Sequence, residues 1–73
     1  MNGIAHYEIF VFGVLSRRWE EWFPGMEIQS MEKDNAPATR LIGVVQDQAQ
    51  LMGILQCLVN LGLTLLSVHR LEN

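Results

Sequence analysis

Residues 47–68, DQAQLMGILQCLVNLGLTLLSV, leave this chain few architectures to choose from. Asp47 is a good N-cap, and Gln50 follows it at capping-box spacing. Leu51, Ile54, Leu55, Leu58 and Leu61 then recur at helical period on one face. Gly62 comes directly after the last of them, where a helix can end in the left-handed conformation that glycine tolerates. A short connection leads into residues 63–71, rich in Leu and Val. A capped amphipathic helix feeding an apolar strand is the second half of a βαβ-type unit, and it locates the core.

The preceding chain supplies the partners. Residues 1–3 read as a loose start. Residues 4–15, with AHYEIFVFGVL at their heart, read as the first strand. On a period of two, Tyr7, Ile9, Val11, Gly13 and Leu15 point one way, and His6, Glu8, Phe10, Phe12 and Val14 the other. Ser16 can cap a short helix, RRWEEWF, whose Trp19, Trp22 and Phe23 share a face, with Pro24-Gly25 ending it. Residues 26–32 alternate with enough polar character for an edge strand: Met26, Ile28 and Ser30 against Glu27, Gln29 and Met31. Residues 33–38, KDNAPA, carry turn chemistry. Residues 39–46 read as the third strand, with Leu41, Gly43 and Val45 on one side and Ile42 and Val44 on the other. In the last strand Leu66 and Val68 are expected to face the helices, and Leu65, Ser67 and His69 to face away.

The order is strand, short helix, strand, strand, long helix, strand. Right-handed crossovers then predict an α+β fold, a ferredoxin-like βαββαβ sandwich with antiparallel sheet order 4-1-3-2, over a single domain spanning 1–73. That order makes the first and third strands central. These are the two strands that are apolar on both faces, as central strands tend to be.

A chain of 73 residues is near the lower limit for an independent core. Domains of this size commonly rely on staples or on a partner. The single cysteine, Cys57, excludes an intramolecular disulfide. Yet 49% of the residues are hydrophobic and only 18% charged, more apolar surface than so small a monomer hides well. Self-association is the first expectation. A net charge of −3 with five Lys and Arg provides no basic stripe for nucleic acid. No apolar run approaches the roughly 18 residues of a membrane span, and the N-terminus lacks a signal-peptide pattern. The cytoplasm is the expected compartment, and a lone thiol suits it.

In this sandwich both helices cover one sheet face. The other face is expected to carry Phe10, Phe12, Val14, Ile42, Val44 and Leu65, where an uncovered face would normally turn polar. Burying several such side chains is worth several kcal/mol at about 25 cal/mol per Å². A homodimer through that face is expected, or else packing against another protein. The competing reading is a register shifted by one, which exchanges the two faces.

Little in the sequence points to chemistry. His6 and His69 lie on neighbouring strands near Glu8, but too few ligands accompany them for a metal site, so they read as solvent-facing. Cys57 has no neighbouring base motif and reads as a small buried hydrophobe. Trp19, Trp22 and Phe23 could stack a ligand, yet at helical spacing they read as a core face. Asp47 and Gln48 open a helix, where an anion could bind, but Asp47 as a cap opposes one. Gly53 is the odd residue: mid-helix, off the leucine stripe, at about 1 kcal/mol relative to Ala. Close approach of a partner or ligand would explain it, and so would neutral drift. Arg17, Arg18, Glu20 and Glu21 read as a solvated face. No cofactor and no catalytic residue is expected.

The segments YEIFVFGVLSRRWEEWFPGMEI and GVVQDQAQLMGILQCLVNLGLTLLSVHRLE together resemble a small uncharacterised bacterial protein family. Its pattern is a YEI strand, a WxxWF helix, a DQA turn into a helix and an LGLxLLSV ending. The group carries no assigned activity, so the resemblance implies no catalytic residues. The Met52 position is often His in similar sequences, so Met here weakens any catalytic role for that site. More distantly, the element order and the ending are similar to ACT-like regulatory domains, which would imply a small metabolite as ligand. The leading expectation is a non-enzymatic interaction module that forms a homodimer. An ACT-like module with its ligand at a dimer interface is the alternative, and a small enzyme with a pocket between helix and sheet the third reading.

Overall fold

A computed structural model describes residues 4–71. The loose start expected at residues 1–3 lies outside them. Strand β1 is Ala5–Phe12, followed by a 3-10 helix at Arg17–Glu21. Strands β2 (Met26–Lys33) and β3 (Ala36–Val45) form a hairpin, and helix α1 (Gln48–Asn60) and strand β4 (Thr64–Leu71) complete the chain. The architecture is α+β: one α-helix and a four-stranded sheet in the order β2-β3-β1-β4, antiparallel throughout. This is the expected order read from the opposite edge, with β1 and β3 central.

Asp47 and Gly62 cap α1 as the sequence predicts, while the Gln50 side chain reaches past the N-cap residue to the one before it. Asp47 Oδ1 accepts from the backbone N–H of Gln50 at 2.8 Å, and Gln50 Oε1 accepts from that of Gln46 at 2.7 Å. At the other end Gly62 has φ +87°, its N–H reaches Val59 O at 3.0 Å, and the Leu63 N–H reaches Leu58 O at 3.2 Å. These two bonds are a Schellman motif. Leu51, Ile54 and Leu58 of α1 are buried against Ile9, Val11, Ile28, Leu41 and Val45 of the sheet. Leu61, expected on the same apolar face, is the C-cap residue and is 42% exposed.

Four local expectations are corrected. The first strand stops at Phe12 rather than at residue 15. Gly13 turns the chain at φ +114° and its N–H reaches Pro37 O at 2.9 Å. The buried Thr39 hydroxyl then donates to Gly13 O at 2.8 Å and accepts from the Leu15 N–H at 3.3 Å, which fixes the turn. The 33–38 turn contracts to Asp34-Asn35, both with positive φ, as a two-residue hairpin requires. Pro37 is tolerated in β3 because its nitrogen lies past the last β1 residue in register, Phe12 opposite Ala38.

The first helix is a five-residue 3-10 turn. Ser16 caps it as expected, accepting from the Arg18 N–H at 3.2 Å. In such a turn residues three apart eclipse. Trp22 therefore sits beside Trp19, with ring centroids 6.2 Å apart, instead of joining it in the core. Phe23 is buried, Trp19 half-buried and Trp22 73% exposed. Finally, β4 carries a bulge where its register against β1 shifts between Phe10 and Val11. No helix among the described residues is long and apolar enough to cross a membrane.

Candidate functional site

The strand register assigns the two sheet faces without ambiguity, because directly paired residues share a face. Ile9, Val11, Leu41, Val45 and Ile28 lie under α1 and are buried. On the opposite, outer face, Phe12 is flanked by Ala38 and Thr64, and Phe10 by Arg40 and Ser67. Glu8 is flanked by Ile42 and His69, and His6 by Val44 and Leu71. The structure thus brings together Phe10, Phe12, Ile42 and Val44 from two central strands, all half-buried. Met31, opposite Ala38, extends the patch to β2.

Two expected members are not on this face. Val14 lies beyond the end of β1 and is 73% exposed in the loop after Gly13. Leu65 is in register with Val11, a core-face residue, because the bulge absorbs one residue and reverses the alternation there. Past the bulge the expected phase returns: Val68 packs against the core, while Ser67 and His69 share the face of Phe10 and Glu8.

The outer face also carries a polar chain. Arg40 Nε donates to Glu8 Oε2 at 2.7 Å, and Arg40 Nη2 lies 2.6 Å from the same oxygen. Arg40 Nη1 donates to Gln29 Oε1 at 2.8 Å, and Gln29 Nε2 to Glu27 Oε1 at 2.7 Å. This chain crosses three strands and separates Phe10 and Phe12 from Ile42 and Val44. Lys33 Nζ stands 5.7 Å from the Phe10 ring centroid, a cation–π distance. The face is therefore amphipathic rather than uniformly apolar.

The other candidates resolve individually. His6 faces Leu71 across the ladder and His69 faces Glu8, so the two histidines are offset on the outer face. No group of three or more potential metal ligands occurs among the described residues. Asp47 is engaged as the cap, with Gln48 exposed beside it. Glu20 is not a solvated residue: its Oε2 accepts from the backbone N–H of Ile28 at 2.8 Å.

Cys57 is half-buried, and it lines an open groove of about 310 Å³ between α1 and the 3-10 helix. Trp19, Trp22 and Phe23 form one wall, and Gln50, Gly53, Ile54 and Cys57 the other. A Cβ built on Gly53 would meet nothing within 4 Å, so packing inside the chain does not require the glycine. The sequence marked Gly53 only as out of place in a helix, and the exposed Trp22 could not be read without the 3-10 geometry.

A family model described as a domain of unknown function, DUF8691, matches residues 6–69. No curated protein and no solved structure matches the chain.

Proposed function

The chain belongs to the DUF8691 family, and we propose that it is a non-enzymatic interaction module, a ferredoxin-like sandwich that binds a second copy of itself through the outer sheet face. The observation that carries this reading is the pair of apolar patches, Phe10 with Phe12 and Ile42 with Val44, on a face that no helix among the described residues covers. Strands of eight residues rise about 26 Å, and four of them span about 19 Å. Two facing copies would then bury on the order of 1,000 Å², enough for a specific interface. Lys33 and Arg40 balance Glu8 and Glu27 on that face, so a second copy meets no net like charge. The half-buried free thiol of Cys57 suits a reducing compartment such as the cytoplasm.

Light scattering over a concentration series tests the reading, with Phe12→Glu alongside the wild type. The mutant should keep its circular dichroism spectrum and show half the wild-type mass. A wild type that stays at one 8.3 kDa chain at high micromolar concentration removes the interface.

The groove favours a second reading, an ACT-like module whose small metabolite sits within one chain rather than at the dimer interface expected from the sequence. A flat, largely apolar ligand would lie against Trp22, with the Gln50 amide at its polar edge and Gly53 leaving room for it. A thermal-shift screen with aromatic amino acids and other planar aromatic metabolites tests this. Any ligand found should lose its effect in Gly53→Leu, which fills the groove; a shift that survives that change argues against it.

A further inference from the structure

The two edges of the sheet are treated differently. Beside β2, the 3-10 helix packs against the strand, and Glu20 Oε2 occupies the backbone N–H of Ile28 at 2.8 Å. Glu27, Glu32 and Lys33 add charge along the same strand. These are the usual means of blocking an edge. No helix or loop among the described residues covers the outer edge of strand β4. Apart from its ladder with β1, Thr64–Leu71 takes part in no hydrogen bond among the described residues. Its sequence, TLLSVHRL, contains neither Lys nor Pro, and its one Arg, Arg70, is in register with Tyr7 on the helix side of the sheet, where its long side chain can swing away from the edge. The bulge interrupts it once and leaves Ser67–Leu71 as a regular run.

Helix α1 points the same way. Its thirteen residues, QAQLMGILQCLVN, include no charged side chain. An outward helix face is normally charged. Here Met52 is 57% and Val59 49% exposed. At 100° per residue Met52 and Val59 adjoin Leu55, on the flank opposite Gly53 and Cys57. Gly53 and Cys57 face the groove and the 3-10 helix. The Met52–Val59 flank is therefore the one toward the β4 side of the sheet, which α1 contacts.

We propose that the free edge of β4 and the Met52–Val59 flank of α1 pair with the same edge of a second copy, joining two sheets into one of eight strands. The contact is isologous: β4 runs antiparallel to its mate and the two α1 flanks meet above it. Main-chain hydrogen bonds supply attraction, and the apolar flanks supply complementarity. The absence of charge on α1 removes the repulsion that two like-charged helices would suffer. The surface, about 20 Å of helix by about 20 Å of depth, offers on the order of 400 Å² per copy, about 800 Å² in all, the size of a weak, transient contact. Association through it is thus concentration-dependent. It is independent of the outer-face contact proposed above. A two-fold normal to the sheet and a two-fold within its plane together close a tetramer of about 33 kDa, four times 8.3 kDa.

The test is light scattering and amide hydrogen exchange across a concentration series, on the wild type, Met52→Lys/Val59→Lys and Phe12→Glu. Both lysines replace exposed side chains, and circular dichroism checks that the fold is kept. The double variant is expected to halve the wild-type mass at the top of the series, and wild-type β4 amides to exchange more slowly as concentration rises. If the outer-face reading fails alone, Phe12→Glu leaves the mass unchanged while the double variant still halves it. A mass that Met52→Lys/Val59→Lys leaves unchanged, or β4 amides whose exchange ignores concentration, overturns the edge contact.

Discussion

The carboxylate of Glu20 accepts the backbone N–H of Ile28 at 2.8 Å, so a side chain from the 3-10 helix takes the position that a fifth strand would take beside β2. Removing the acceptor leaves a part-buried amide without a partner, a change worth about 1–3 kcal/mol. Glu20→Ala should lower the melting temperature by several degrees, since about 1 kcal/mol moves a domain of this size by roughly 4–8 °C. Glu20→Gln retains an acceptor and should recover most of the loss. Arg17, 3.7 Å from Glu20 and 76% exposed, is a surface pair, and Arg17→Ala should change little. Thermal melts of the three variants check the ranking; equal losses for Glu20→Ala and Arg17→Ala would refute it.

What the sequence reveals and what it hides divide by range. The strand order was legible because β1 and β3 are apolar on both faces, a local property with a direct topological meaning. The caps of α1 were legible because Asp47, Gln50 and Gly62 act within a few residues. Phe10, Phe12, Ile42 and Val44 were placed on one face by parity alone. Parity fails where the backbone breaks step. It misplaced Val14, past the turn at Gly13, and Leu65, beside the bulge. The Arg40–Glu8 pair joins residues 32 apart, and no local pattern announces such a contact. Thr39 looked like an ordinary strand residue, yet its hydroxyl serves a loop 26 residues earlier.

Two glycines should respond in opposite directions. A Cβ on Gly43 would lie 1.9 Å from Gly25 O and 2.8 Å from Met26 Cα, both backbone atoms that cannot step aside cheaply. Gly43→Ala should destabilise the fold by more than about 2 kcal/mol or prevent folding. A Cβ on Gly53 meets nothing within 4 Å, so Gly53→Ala should recover helix propensity and stabilise by up to about 1 kcal/mol. Urea titrations of both variants measure these changes. A destabilising Gly53→Ala would show that the residue is constrained by something other than its own chain.

Thr39 is fully buried, and its hydroxyl bridges Gly13 O and the Leu15 N–H at the end of β1. Thr39→Val is nearly isosteric but leaves both backbone groups without that partner. The expected loss is about 1–3 kcal/mol, larger than for a surface Thr. The loop that carries Val14 should lose its anchorage at the same time. Hydrogen exchange at Leu15 should therefore quicken more than global unfolding alone predicts. Unchanged exchange at Leu15 would mean that the hydroxyl does not hold the turn.

Arg40 and Glu8 are half-buried on the outer face, with side-chain exposures of 28% and 20%. Their bond is made by the guanidinium of a central strand and a carboxylate of its neighbour, with Gln29 holding the other end of the fork. A double-mutant cycle with Arg40→Ala and Glu8→Ala should give a coupling on the order of 0.5–2 kcal/mol in the isolated chain. If a second copy covers this face, it excludes the remaining water and the same pair strengthens, because charge attraction rises as the effective dielectric falls. The coupling measured at high protein concentration should then exceed that measured in dilute solution. In the Phe12→Glu background, where the face is expected to stay uncovered, the two values should coincide. A coupling that is the same at both concentrations in the wild type would mean that water still reaches Arg40 and Glu8, and that nothing packs over Phe10 and Phe12.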